Sequence, residues 1–335
     1  MIKIKNLVKQ YGDKYAVNDI SFSVGDGEIV GFLGPNGAGK STTMNMLTGY
    51  LSSTSGTISI DGFDILENTM EAKKLIGYLP EQPPLYMDMT VIEYLNFVYE
   101  LKKCTFNREK HLEEICEVVK LSDVKNRIIG HLSKGYRQRV GIAQAIVGNP
   151  KVIILDEPTV GLDPKQIIEI RNLIRVLGRD HTVILSTHIL SEVQATCDRV
   201  IIINKGRIVA DERTEDLANI VGGNRRLSVK ICGNQKEILS AIGKLNGVTY
   251  VESLAEHELD STTYLVESEA GVDIRKPLFN LLSERHWPIL GMEALGMNLE
   301  DIFISLVELS ENAPKTKKKR IKINPKNTTD SGENA

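Results

Sequence analysis

The segment Gly34-Pro35-Asn36-Gly37-Ala38-Gly39-Lys40-Ser41-Thr42 follows the apolar run 28–33 and leads into the helix-like stretch 42–47. A strand therefore feeds a glycine loop that opens a helix. All four fixed positions of G-x-x-x-x-G-K-S/T are filled in that setting, which makes the loop a phosphate cradle. Glycines let successive backbone N–H groups converge on anionic oxygens, and the helix N-terminus adds positive potential. Lys40 would reach the β- and γ-phosphates of a nucleotide, and Ser41 would offer its hydroxyl to Mg²⁺. A chain built around this loop needs a parallel sheet whose carboxyl edge faces the ligand.

The surrounding pattern supplies one. Residues 152–155 and 183–185 are apolar without alternation, as expected of parallel strands covered on both faces. Residues 164–177 read as a helix with Pro164 in its first turn. Alternating stretches at 2–8, 20–24 and 57–60 predict half-buried antiparallel strands, with Tyr11 and Val17 between the first two. From 90 to 120 the apolar residues switch to helical spacing, which predicts a helical insert, and Asn204-Lys205-Gly206 joins two short strands in a hairpin.

Three further positions carry chemistry at the predicted sheet edge. Asp156 and Glu157 end the strand 152–155, where Asp156 would hold Mg²⁺ largely through water. Glu157 would orient and polarise the water that attacks the γ-phosphate. His188 follows the strand at 183–185 and can hydrogen-bond the γ-phosphate while keeping carboxylate and water in register. Gln82, after a third short strand, could touch Mg²⁺ or the attacking water and withdraw when its loop moves. A second anion-binding helix start is read at Ser133-Lys134-Gly135-Tyr136, with Ser133 as its N-cap. One nucleotide with two phosphate-binding helix starts implies that the second serves another subunit, with two ATP molecules sandwiched head to tail.

Beyond residue 222 the pattern pauses and then restarts as strand, helix, two strands, helix and strand between 227 and 292, the order of a split βαβ sandwich. A terminal amphipathic helix is predicted at 299–309, and residues 313–335 read as a disordered tail. The expected units are 1–222, 223–312 and 313–335. The tail is electrostatically distinct. From Lys315 onward it holds seven of the 41 basic residues and two of the 44 acidic ones, so the rest of the chain carries 34 and 42. Its run Lys317 to Arg320 is the sole hint of nucleic acid, too short to be a strong signal, and it offers a contact for anionic lipid. Four scattered cysteines, Cys104, Cys116, Cys197 and Cys232, fit reduced thiols in the cytoplasm. No stretch reaches the roughly 18 apolar residues of a membrane span, so work at a membrane would require another subunit to cross it.

Taken together, these motifs resemble the nucleotide-binding subunits of ABC transporters over roughly residues 1–215, in the family's own order. The resemblance implies an α/β P-loop NTPase with a RecA-like core, an antiparallel β subdomain and a helical subdomain, plus a small α+β ferredoxin-like C-terminal domain. By motif, Tyr11 would stack on adenine with Val17 and Thr42 among the ATP-binding residues, and Gly34 to Ser41 would be the Walker A loop. Gln82 would be the Q-loop residue, Asp156 the end of Walker B, Glu157 the catalytic base, Asp163 the D-loop acid and His188 the switch histidine. Ser133 to Tyr136 would be the signature acting in trans, although Lys134 and Tyr136 stand where the usual L-S-G-G-Q has glycine and glutamine. The L-S-K-G-Y-R-Q-R form and the C-terminal extension resemble the ABC-2 exporter subclass, including gliding-motility and multidrug types. The implied cofactors are ATP and Mg²⁺. The implied partners are a polytopic permease and a second ATPase subunit, identical or paired, with the chain peripheral on the cytoplasmic face of the membrane. Pro83, Pro84, Leu85 and Tyr86 would either meet the permease or pack in the core. A different class, a soluble ABC switch acting on ribosomes or nucleic acid, is the competing expectation.

Overall fold

A computed structural model of the chain describes residues 1–216, 226–258, 261–269 and 272–295. The predicted helix at 299–309 and the tail from 313 lie outside the described residues. Along the first 216 residues the order is β1 (Ile2–Tyr11), β2 (Lys14–Val24), β3 (Ile29–Leu33), α1 (Lys40–Leu47), β4 (Ser55–Ile60), β5 (Phe63–Asp64), α2 (Thr69–Lys74), β6 (Ile76–Leu79), α3 (Val91–Leu101), α4 (Arg108–Val118), α5 (Lys134–Ile146), β7 (Val152–Asp156), α6 (Pro164–Leu177), β8 (Thr182–Thr187), α7 (Leu190–Thr196), β9 (Arg199–Asn204) and β10 (Arg207–Arg213). Six strands form one sheet in the order β10-β9-β3-β8-β7-β6, and four form a second in the order β2-β1-β4-β5. In the larger sheet every neighbouring pair from β9 to β6 is parallel, and only β10 returns antiparallel through the Lys205-Gly206 turn.

The larger sheet is buried on both faces, which is why its strands read as unbroken apolar runs. Side chains alternate between two cores. Ile153, Leu155, Val183 and Leu185 pack with the helices, through Leu95 of α3, Val140 of α5 and Leu173 of α6. Val152, Ile154, Ile184 and Phe32 face the smaller sheet, meeting Ile4, Leu7 and Phe22 together with Met44 and Leu47 of α1. The helical insert starts at a capping box in which Thr90 accepts from the Glu93 N–H while the Glu93 carboxylate accepts from the Thr90 N–H. Its apolar stripes, Val91, Leu95 and Val98 on α3 and Leu112, Ile115 and Cys116 on α4, are buried as their spacing requires.

The first hairpin runs longer than its alternation predicts. Tyr11 is the last residue of β1 and Val17 lies inside β2, rather than between two strands. Register shifts along the β1–β2 pair break the period-two pattern that would have marked the full strands.

The second unit contains β11 (Arg226–Cys232), α8 (Gln235–Ile242), β12 (Val248–Glu258), β13 (Ser261–Ser268), α9 (Arg275–Glu284) and β14 (Ile289–Leu295). Its sheet has the order β12-β13-β11-β14, antiparallel throughout, which is the ferredoxin-like arrangement. Leu227, Val229 and Ile231 on β11 pack with Ile238, Ile242, Leu278 and Leu282 of the two helices in a core of their own.

Candidate functional site

β3, β6, β7 and β8 run parallel, so their carboxyl ends open onto one edge, where loops rather than ladder bonds determine what faces solvent. The phosphate loop leaves β3 there. Gly39 holds φ at 112°, and a Cβ on it would stand 2.5 Å from the Ala16 carbonyl oxygen, so the backbone needs both the freedom and the smallness of glycine. No side chain caps the N-terminus of α1, which leaves its leading N–H groups to an anion. Lys40 is buried, and its ammonium donates to the Gly34 and Pro35 carbonyls at 2.8 and 3.3 Å.

The loop borders a cavity of about 480 Å³ lined by Asn36, Gly37, Gly39, Lys40, Ser41 and Thr42, and on its other walls by Ala16, Glu81, Glu157, Val160 and His188. Glu157 leaves β7 in the left-handed region, with φ 50°, an uncommon setting for a residue other than glycine. Its N–H donates to the Ser186 carbonyl at 2.9 Å, and its buried carboxylate lies 3.5 Å from Lys40 Nζ. His188 Nδ1 stands 3.0 and 2.9 Å from the two carboxylate oxygens. A carboxylate only accepts, so Nδ1 carries the proton and Nε2 is the ring nitrogen left for a further partner. Asp156, one residue earlier, is 2% exposed and its Oδ1 has no hydrogen-bond partner. Burial pushes its carboxyl above the ordinary carboxylate range, the Ser186 and Ser41 hydroxyls beside it oppose that, and the charges of Glu157 and Glu81 add to it.

The remaining sequence-derived residues fall into three places. Ser133 caps α5, accepting from the Tyr136 N–H at 3.4 Å, and Asp163 caps α6, accepting from the Gln166 N–H at 2.9 Å. Gly135 is pressed against the side chain of Gln166, 2.6 Å from an ideal Cβ. None of Ser133, Lys134, Gly135, Tyr136 or Asp163 lines the cavity of its own chain. Tyr11 is half exposed at the end of β1 with Lys9 Nζ 5.3 Å from its ring centre, and Val17 is fully buried behind the loop, so neither lines the cavity and Ala16 does.

Gln82 also departs from expectation. It faces a neighbouring groove of about 570 Å³ with Tyr50, Tyr78, Pro84, Lys102 and Gln144, while Glu81 lines the phosphate cavity. β6 ends at Leu79, and in the segment that follows Glu81 lines the phosphate cavity whereas Gln82 lines the groove beside it. Sequence alone does not single out Glu81, yet a carboxylate just past a parallel strand is the same signal that marks Asp156.

A parallel sheet with a phosphate loop, a buried acid pair and a histidine-contacted carboxylate at its carboxyl edge defines a P-loop ATPase with an ABC-type antiparallel and helical elaboration. A family model described as "ABC transporter" matches residues 17–160. The chain is 34% identical over 311 residues to the linearmycin resistance ATP-binding protein LnrL of Bacillus subtilis, covering 91% of this chain and 98% of that protein. It is 39% identical over 213 residues to the bacitracin transport ATP-binding protein BcrA of Bacillus licheniformis, covering 63% and 69% of the two chains. Among solved structures, a post-hydrolysis dimer of the ATP-binding cassette MJ0796 with ADP and Pi is similar with a TM-score of 0.58 and 29% identity, over 64% of this chain and 99% of that one. The chain belongs to the ATP-binding subunits of ABC transporters. It binds and hydrolyses ATP as a subunit of a membrane transporter, in a family whose cassettes dimerise and act with permeases. No helix among the described residues is long and apolar enough to cross a membrane.

Proposed function

We propose that this subunit powers an ABC-2 type exporter, closing head to tail with a second ATPase subunit on ATP and reopening after hydrolysis. Similarity to LnrL along nearly the whole chain, second unit included, supports the subclass. The single observation that carries the chemistry is Glu157, held between Lys40 and the His188 ring at the mouth of the phosphate loop. Glu157 orients and polarises the attacking water, and His188 keeps Glu157 aligned through Nδ1 while Nε2 faces the γ-phosphate. Lys40 trades its loop carbonyls for phosphate oxygens. Ser133 and Gly135, outside their own cavity, serve the partner's nucleotide, with Lys134 and Tyr136 flanking that contact. Asp163 steadies the D-loop between the two sites.

Hard oxygen donors suit Mg²⁺, and the unpartnered Oδ1 of Asp156, the Ser41 hydroxyl and the Glu81 carboxylate form such a set. When bound, Mg²⁺ neutralises charge on the transferred phosphoryl group. Glu81 takes the task first assigned to Gln82, which turns toward the groove beside Pro84. That groove, continued by Tyr86 packed edge-on against Tyr94 and Phe97, is the surface offered to the permease on the cytoplasmic face of the membrane. Tyr11, half exposed at the end of β1, is the aromatic ring available to stack on adenine. The Glu157→Gln protein is expected to bind MgATP and dimerise on size-exclusion chromatography without turnover. Undiminished phosphate release by that variant would remove Glu157 from the role.

A further inference from the structure

Glu192 on α7 is one of the most deeply buried carboxylates in the described chain, 1% exposed, and no part of the hydrolytic scheme uses it. Its Oε1 accepts from the Thr159 hydroxyl at 2.5 Å and its Oε2 accepts from the Thr187 hydroxyl at 2.9 Å. Thr159 lies two residues after Glu157, and Thr187 lies immediately before His188. The turn that follows Glu157 and the strand end that precedes His188 are thus joined through one side chain.

The local backbone requires such a joint. The final link between the two strands is the Glu157 N–H to Ser186 carbonyl bond, and past it no ladder fixes the spacing of the two turns. Glu157 is then held at a φ of 50°, a conformation that persists only where its surroundings over-determine it. On the opposite side, the Thr187 hydroxyl that donates to Glu192 also accepts from the Ile189 N–H at 3.1 Å, fixing the backbone on both sides of His188. Nδ1 of His188 sits almost equidistant from both oxygens of Glu157, a balance that a shift of either turn would upset.

We propose that Glu192, bridging Thr159 and Thr187, is a positioning residue that sets the distance and angle between Glu157 and His188. It touches neither nucleotide nor attacking water, so its effect falls on turnover and not on ATP affinity. The inference rests on the assignment of Glu157 as the base.

The test uses pairs of substitutions that separate hydroxyl from volume. Valine keeps the shape of threonine and removes the donor, whereas serine keeps the donor and loses a methyl group. Turnover is counted per nucleotide-binding site, titrated in the same preparation with a fluorescent ATP analogue, so that unfolded protein does not enter the rate. Thr159→Val and Thr187→Val are each expected to cut turnover per site about tenfold, within the range known for small misplacements of reacting groups, with the KM for ATP changed less than about twofold. The double valine variant should fall no more than about threefold further, because either loss breaks the same bridge. Thr159→Ser and Thr187→Ser should keep turnover within about twofold of the parent. Valine variants with parental turnover per site, or serine variants as impaired as the valine ones, would overturn the proposal. Glu157→Gln is assayed alongside. An active Glu157→Gln removes the base assignment and this inference with it, whereas an inactive Glu157→Gln beside unimpaired valine variants removes the role of Glu192 alone.

Discussion

Asp156, the acid proposed to hold Mg²⁺, opposes the stability of the fold that buries it. It is a carboxylate surrounded by apolar strand ends, whose burial raises its pKa against the opposing pull of the Ser186 and Ser41 hydroxyls, with the charges of Glu157 and Glu81 adding to the rise. A native pKa above the unfolded value means that the folded chain holds the proton at pH values where the unfolded chain has released it. Stability of the nucleotide-free protein therefore falls as pH rises from the ordinary carboxylate range through the raised pKa, and the cost persists above it. Asp156→Asn removes that cost at neutral pH. The variant is expected to melt higher by a few degrees without nucleotide, since ~1 kcal/mol moves a domain of this size by about 2–4 °C, while losing Mg²⁺-dependent hydrolysis. Differential scanning calorimetry at neutral pH checks this, and an unchanged or lower melting temperature would contradict it. At the same scale, the departure of Gln82 from the cavity in favour of Glu81 replaces a neutral amide by a charge, which raises the local demand for a cation.

At the scale of elements, the junction of β3 and α1 is the most constrained in the chain. Gly34 and Gly39 both stand where a Cβ would strike a main-chain oxygen, that of Ile203 at 2.4 Å and that of Ala16 at 2.5 Å. The loop is clamped between the β9–β10 hairpin and β2, so backbone on either side cannot give way as a flexible side chain would. Gly39→Ala adds the left-handed conformation of a residue with a Cβ, ~1–2 kcal/mol, to that collision. Nucleotide affinity of Gly39→Ala is expected to drop at least about tenfold, the equivalent of ~1.4 kcal/mol, as measured by equilibrium titration. Affinity within twofold of the parent would show that the loop relaxes more freely than its contacts imply. The turns after β7 and β8, by contrast, are linked to each other past the Asp156–Ser186 pair by the side chain of Glu192 on α7, which accepts from Thr159 and Thr187.

For the whole molecule, the proposed completion of the phosphate-loop site by the Ser133 helix start of a second chain is tested by the kinetics. A site completed by a second chain makes the active species a dimer, so hydrolysis by the isolated subunit should rise with protein concentration more steeply than first order while dimerisation is weak. A strictly proportional rate from nanomolar to micromolar subunit would count against a composite site. The groove holding Gln82 and the phosphate cavity lined by Glu81 share the short segment after β6, so one loop borders both.

How much of this was legible in advance follows a physical line. Walker A, the acid pair after β7, the histidine after β8 and the βαββαβ order of the second unit are local patterns, and each carries its own periodicity or backbone requirement. Such features are determined by sequence because a strand end, a glycine at positive φ or an amphipathic stripe needs only near neighbours. Tertiary structure alone decided that Glu81 and not Gln82 enters the cavity, that Val17 is core and Ala16 is wall, and that Tyr11 stays aside. It also brought Thr159, Thr187 and Glu192 together from three separate elements. Those outcomes depend on which way a chain turns after its last ladder bond and on what packs behind it, and neither is encoded in the spacing of residue types along the chain.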